Sequence, residues 1–163
     1  MVTNKAGKGS LKPQIPKSSQ SHAGSHADIF WAFVNETAQK TESDRLVAIR
    51  NGLSVMLPAG LRDALNIDFT IVAKLLDTSR STLARNMRSA KPLNFVASER
   101  LDRIAQIASM AERVLESREE TSQWLKRAHP ALSQQAPISL CNTEVGSCQI
   151  RRILSAMEWG NAT

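Results

Sequence analysis

The sequence predicts an all-α fold, and three observations carry that prediction. Apolar residues recur at helical steps of three and four from about Asp28 onward. No stretch alternates apolar and polar residues as a half-buried strand would, and valine and isoleucine fall singly inside helical patterns. Capping residues and glycine punctuate the chain at helix-length intervals. With 163 residues and 42% hydrophobic content, the chain is long enough for one domain, or for two small ones sharing a core.

The elements follow in order. Residues 1–25 are rich in Lys, Gly, Ser, Pro and Gln and are expected to form a disordered basic tail. Ile29, Phe30, Phe33 and Val34 define a first short amphipathic helix. Thr41 caps a second, with Asp44 in its first turn, Leu46, Val47 and Ile49 as its apolar residues, and Gly52 as its stop. Ser54 is expected to cap a third, which buries Val55, Met56, Leu61 and Leu65 and ends near Asn66; Pro58 falls within its first turn, where a missing amide costs little. Asp68 caps Phe69–Leu76 and Ser79 caps Arg80–Arg88.

A longer helix spans about Phe95 to Glu116. Ala97, Leu101, Ile104, Ala108, Ala111 and Leu115 alternate steps of four and three, the 3.5-residue period of a helix packed along its length on another. That stripe is either an internal spine or a dimer seam. Trp124-Leu125 end a short helix and a proline-bounded loop follows. Thr143 or Asn142 then caps a last helix, with Glu144 in its first turn and an apolar stripe of Gly146, Ile150, Ile153 and Met157, widened by Leu154. Gly146 is expected to permit close packing, against the Trp124 helix, and Arg151 and Arg152 point away from the stripe. The corresponding divisions are 1–25 for the tail, 26–92 for a first helical domain, 93–117 for the connecting helix and 118–163 for a second domain.

The formal net charge of +6 is unevenly placed. The tail holds Lys5, Lys8, Lys12 and Lys17 and no acid. Residues 69–91 hold Lys74, Arg80, Arg85, Arg88 and Lys91 against Asp77 alone, whereas acids outnumber bases in 28–68 and balance them from 92 on. A local excess of this kind suits a polyanion. Residues 69–88 have the arrangement of a helix-turn-helix: Val72, Ala73 and Leu76 face inward from the first helix, Leu83 and Met87 from the second. In such a motif the second helix enters the major groove. Arg80 and Arg85 suit guanine edges, Ser81 and Thr82 bases or phosphate, and Lys74, Arg88 and Lys91 the phosphate backbone. Asp77 stands where a glycine usually makes the turn.

Other chemistries find little support. Cys141 and Cys148 have neither redox nor zinc spacing, so two reduced, partly buried thiols are expected, and His22, His26 and His129 are scattered. No nucleophile motif or glycine-rich phosphate cradle is present. The expectation is a non-enzyme without metal or cofactor. With no signal-peptide core and no apolar run approaching roughly 20 residues, it should be cytoplasmic, with no membrane partner.

Trp124, Leu125, Pro130, Leu132, Pro137, the run Thr143-Glu144-Val145-Gly146, then Ile150, Ile153, Leu154, Glu158 and Gly160 follow one pattern. This segment resembles the toxin-binding domain of Xre/MbcA/ParS-type antitoxins. Gly52-Leu53 through Leu83-Ala84-Arg85 is similar to the Xre-like helix-turn-helix domain of the same family. The resemblance implies an Xre-like domain and a small toxin-binding domain joined by the long helix. It also implies a RES-domain toxin as partner, one that depletes NAD and whose active-site opening is covered by the last helix, through Met157, Glu158, Trp159 and Gly160. Operator DNA would be the second partner, bound by a homodimer that autorepresses its operon and joins a toxin–antitoxin hetero-oligomer. The family often has Tyr or His at the Trp159 position, and its loop after Leu132 is glycine-rich where this chain reads Ser133-Gln134-Gln135. A terminal tryptophan, of a residue type favoured at interface centres, fits the same role. The alternative functions are a free-standing transcription factor and a localisation adaptor.

Overall fold

The structure is a computed structural model and describes residues 25–160. Among these it forms nine α-helices: α1 His26–Gln39, α2 Glu42–Asn51, α3 Leu57–Leu65, α4 Phe69–Leu75, α5 Arg80–Arg88, α6 Phe95–Leu115, α7 Arg118–Lys126, α8 Pro137–Leu140 and α9 Glu144–Gly160, with a 3-10 turn at Pro130–Leu132 between α7 and α8. The expected disordered tail lies outside the described residues except for its last, Ser25. Ser25 instead caps α1, its hydroxyl taking the Asp28 amide while the Asp28 carboxylate takes the Ser25 amide at 2.8 Å.

α6 lies at the centre. It packs against α1, α2, α7 and α9, and Ala97, Leu101, Ile104, Ala108 and Ala111 are all buried against them. The 3.5-residue stripe is therefore an internal spine, and only Leu115, at its end, is half-exposed. Ala105 and Ile107 are also fully buried, so α6 is enclosed on more than one side. One hydrophobic cluster runs from Phe30 and Trp31 in α1 through α6 to Leu125, Ile150 and Leu154, so the first and last of the described helices share a core.

The predicted caps at Thr41, Asp68 and Ser79 are in place: each side chain accepts an amide of the next turn, from Asp44, Thr70 and Thr82. Thr143, of the two candidates, caps α9, accepting the Gly146 amide at 3.1 Å. Ser54 does not cap α3. Its hydroxyl takes the Met56 amide in a preceding turn, and α3 opens at Leu57 with no side-chain cap. Gly52 does end α2, at φ +85°, and a Cβ there would lie 2.6 Å from the Leu93 carbonyl oxygen. Leu53 and Leu93 are joined through the Leu93 amide and Leu53 carbonyl at 2.9 Å, which pins the end of α2 to the start of α6.

α2 buries only one of its three large apolar residues. Ile49 is buried, but Leu46 and Val47 are exposed. Arg45 supplies the missing anchorage by reaching the buried Asp102 of α6 through two hydrogen bonds, 2.6 and 3.2 Å. Gln106 donates a third to the same carboxylate at 2.8 Å. Burial pushes the Asp102 carboxyl above its ordinary value, and Arg45 opposes that shift.

Gly146 packs closely, as predicted, but against α8 rather than the Trp124 helix. A Cβ on it would fall 2.3 Å from the Leu140 carbonyl oxygen and 2.9 Å from the Leu140 side chain. In the loop after Leu132, Ser133 and Gln134 both take positive φ, 54° and 62°. Two adjacent left-handed residues explain why glycine suits this loop, since each L-residue there costs roughly 1–2 kcal/mol. Of the cysteines, Cys141 is buried and its thiol is pushed up to about 12 by desolvation, while Cys148 is partly exposed; neither forms a disulfide.

These contacts give opposite expectations for two glycine substitutions. Gly146→Ala should destabilise the fold by about 1–2 kcal/mol, because the backbone clash outweighs the roughly 1 kcal/mol that alanine contributes in a helix. Gln134→Gly should stabilise it by up to about 1 kcal/mol. Chemical denaturation of the two variants checks both signs.

Candidate functional site: the helix-turn-helix and the outer end of α9

Two surfaces carry the predicted residues, and α6 connects them. The first is built on α4 and α5. Val72, Ala73 and Leu76 on one side and Leu83 on the other are buried, and Met87 is half-buried against the same core. The turn between them closes on Asp77 at φ +55°, with the Thr78 amide bonded to the Ala73 carbonyl at 2.9 Å. Asp77 thus adopts the geometry that glycine would supply. Arg100 of α6, which the sequence did not single out, braces this turn. It donates to the Leu75 carbonyl at 3.4 Å and stands 3.4 Å from the Asp77 carboxylate.

With the inner face fixed, Ser81, Arg85 and Arg88 share one exposed face of α5 at steps of four and three. Arg80 is exposed at the start of the helix, one nitrogen 3.3 Å from the Thr70 hydroxyl. Thr82 is half-buried and its hydroxyl takes a hydrogen bond from Ser79 at 2.8 Å, so it serves the cap. Ser81 also lies 2.9 Å from the Ser79 hydroxyl but stays exposed. Lys74 on α4 and Lys91 beyond α5 are exposed. Lys74, Arg85, Arg88 and Lys91 make no ion pair among the described residues, so their charge is available to a polyanion.

The second surface is the end of α9. Ile150 and Leu154 anchor the helix in the core, and Met157 is half-buried against it. Past Met157 the helix carries Trp159 with 78% of its surface exposed. Glu158 is held from the side: Arg113 of α6 contacts its carboxylate with two nitrogens, at 3.2 and 3.3 Å. Both partners are largely exposed, so the pair contributes at most about 1 kcal/mol to stability. Its consequence is positional, since it fixes the last turn of α9 over α6. Gly160 is exposed at the end of the helix.

A cleft of about 520 Å³ lies between α2, α6 and α9. Most of its charged lining is paired: Arg45 with Asp102, Arg103 with Glu99 and Glu144, and Arg151 with Glu144. Among the described residues no group of His, Cys, Asp and Glu could hold a metal ion, and no helix is long and apolar enough to cross a membrane.

The turn geometry makes Asp77 replaceable. Asp77→Gly removes a weak, exposed pair but relieves a left-handed residue, so the unfolding free energy should change by less than about 1 kcal/mol. Duplex DNA retention in a gel-shift titration should stay within about twofold of wild type, since Asp77 adds no cation to the surface. Loss of retention would mean that the carboxylate itself is required.

Comparison with known families bears on both surfaces. The family model of the antitoxin Xre-like helix-turn-helix domain matches residues 44–106, which run from α2 into α6. The model of the antitoxin Xre/MbcA/ParS C-terminal toxin-binding domain matches residues 110–160, from the end of α6 through α9. No curated protein matches the chain. The two matched segments follow in chain order, cover most of the sequence and contain the two surfaces built above. The chain belongs to the Xre-type antitoxins, with a helix-turn-helix domain followed by a toxin-binding domain.

Proposed function

We propose that this antitoxin neutralises a RES-domain toxin that depletes NAD, by covering the opening of the toxin's active site with the outer end of α9. The observation that carries this reading is the exposure of Trp159 on a helix whose other face is rooted in the core. A large aromatic held out on a rigid support is a good interface anchor, because little conformational entropy is lost when it is buried. Met157, Glu158 and Gly160 complete the covering turn, with Arg113 holding Glu158 in place. The mechanism is steric and asks no catalytic group of the antitoxin.

The helix-turn-helix supports a second role, repression of the operon that encodes the pair. Arg80, Ser81 and Arg85 are the candidates for base contacts, with Lys74, Arg88 and Lys91 on phosphates and Thr82 behind them as part of the cap. Two-fold operators call for a homodimer. The α6 stripe is consumed by the core, and Leu46, Val47, Phe95 and Val96 are exposed apolar side chains on which a seam can form. Toxin occupancy is expected to change operator affinity, since α6 braces both the turn through Arg100 and the last helix through Arg113.

Two variants separate the activities. Arg80→Ala with Arg85→Ala should weaken operator binding by about 30-fold or more, at roughly 1–3 kcal/mol for each base contact, and leave rescue of toxin-expressing cells intact. A chain ending after Leu154 should retain operator binding and fail to rescue growth. Rescue by the shortened chain as strong as by the full one would refute active-site covering by the end of α9.

A further inference from the structure

The outward face of α9 extends well beyond its last turn. Gly146, Ile150 and Leu154 are buried, and Ile153 and Met157 pack on the core. On the opposite side Val145, Gln149, Arg152, Ala156 and Trp159 are all exposed. They recur at steps of four, three, four and three, so they line up as one stripe of about 21 Å at 1.5 Å per residue. Val145, at 73%, and Trp159 are the two most exposed large hydrophobic residues among those described, and they occupy its two ends. Between them Arg152 has no ion-pair partner among the described residues, although neighbouring Arg151 is paired with Glu144. The stripe therefore offers an apolar side chain at each end and a cation between them.

We propose that the toxin receives α9 along its whole length, in a groove with an apolar pocket for Val145, a carboxylate facing Arg152 and a second apolar pocket for Trp159. This rests on the reading of α9 as the toxin-facing helix and extends it from the last turn to the first. The register is that of an amphipathic helix laid into a groove, read by anchors a turn or two apart. The family match to a toxin-binding domain spans all five stripe residues. A second copy of this chain fits the stripe poorly. Arg152 is its midpoint, so a two-fold antiparallel pairing of identical stripes sets Arg152 against Arg152. Binding then has two parts: the Val145–Arg152 half provides docking strength, and the Trp159 end closes the active site.

The test uses the full chain and a RES-domain toxin encoded with it, measuring toxin affinity, operator affinity, self-association and circular dichroism for Val145→Glu, Arg152→Glu and Trp159→Ala. Val145 and Arg152 are exposed, so the variants should keep wild-type helicity and operator affinity. Val145→Glu and Arg152→Glu should each raise the toxin dissociation constant by about tenfold or more, a loss of at least about 1.4 kcal/mol. Trp159→Ala should weaken binding comparably and also abolish growth rescue. Wild-type toxin affinity in Val145→Glu and Arg152→Glu, with loss in Trp159→Ala alone, overturns the extended groove while the last-turn reading stands. Altered self-association at unchanged toxin affinity overturns it as well. A wild-type chain that captures no toxin overturns both.

Discussion

Enclosure of α6 is the constraint on which the rest of the molecule depends. A 21-residue helix, about 30 Å long, is packed by α1, α2, α7 and α9 at once. Small residues make this possible: Ala97, Ala105, Ala108 and Ala111 let neighbours approach, while Leu101, Ile104 and Ile107 fill the space between them. Because the same helix ends one family segment and begins the next, the DNA-facing and toxin-facing parts rest on one spine.

Polar contacts from α6 then set what each surface presents. Asp102 holds Arg45 and with it α2; Arg100 holds the helix-turn-helix turn; Arg103 reaches the Cys141 carbonyl and Glu144 at the start of α9; Arg113 holds Glu158 near its end. The first of these is buried and stands to cost several kcal/mol if one partner is removed, whereas the exposed Arg113 pair costs far less. The same spine therefore holds α2 through a buried pair and orients the last turn of α9 through an exposed one.

Local signals in the sequence located nearly every helix. Thr41, Asp68, Ser79 and Gly52 mark real ends because capping and left-handed glycine act within a few residues of themselves. The 3.5-residue stripe from Ala97 to Ala111 identified a helix with packed neighbours but left its partner open, since periodicity describes a face and not what covers it. For the same reason the apolar residues of α2 do not reveal which of them is buried: Ile49 is, Leu46 and Val47 are exposed, and Arg45 and Asp102, 57 positions apart, add the hold on α6. Arg100 with Asp77, Arg113 with Glu158 and Gly146 against Leu140 likewise depend on helix register. The family resemblance named the last turn of α9, whereas the exposure of Val145 emerges only once the opposite face is seen to be buried.

If α9 covers the toxin as proposed, Trp159 is the side chain that leaves water on binding. Trp31 is buried and Trp124 half-buried in the free chain, so Trp159 dominates the quencher-accessible emission. Acrylamide quenching of the free antitoxin and of its toxin complex, each corrected by subtracting the Trp159→Phe counterpart, isolates that residue. Covering of the toxin by the end of α9 predicts strong quenching of the Trp159 component in the free chain and its near-complete protection in the complex. Equal quenching in both states would leave Trp159 in solvent while the toxin is bound, and would contradict the claim that the end of α9 is what covers the toxin.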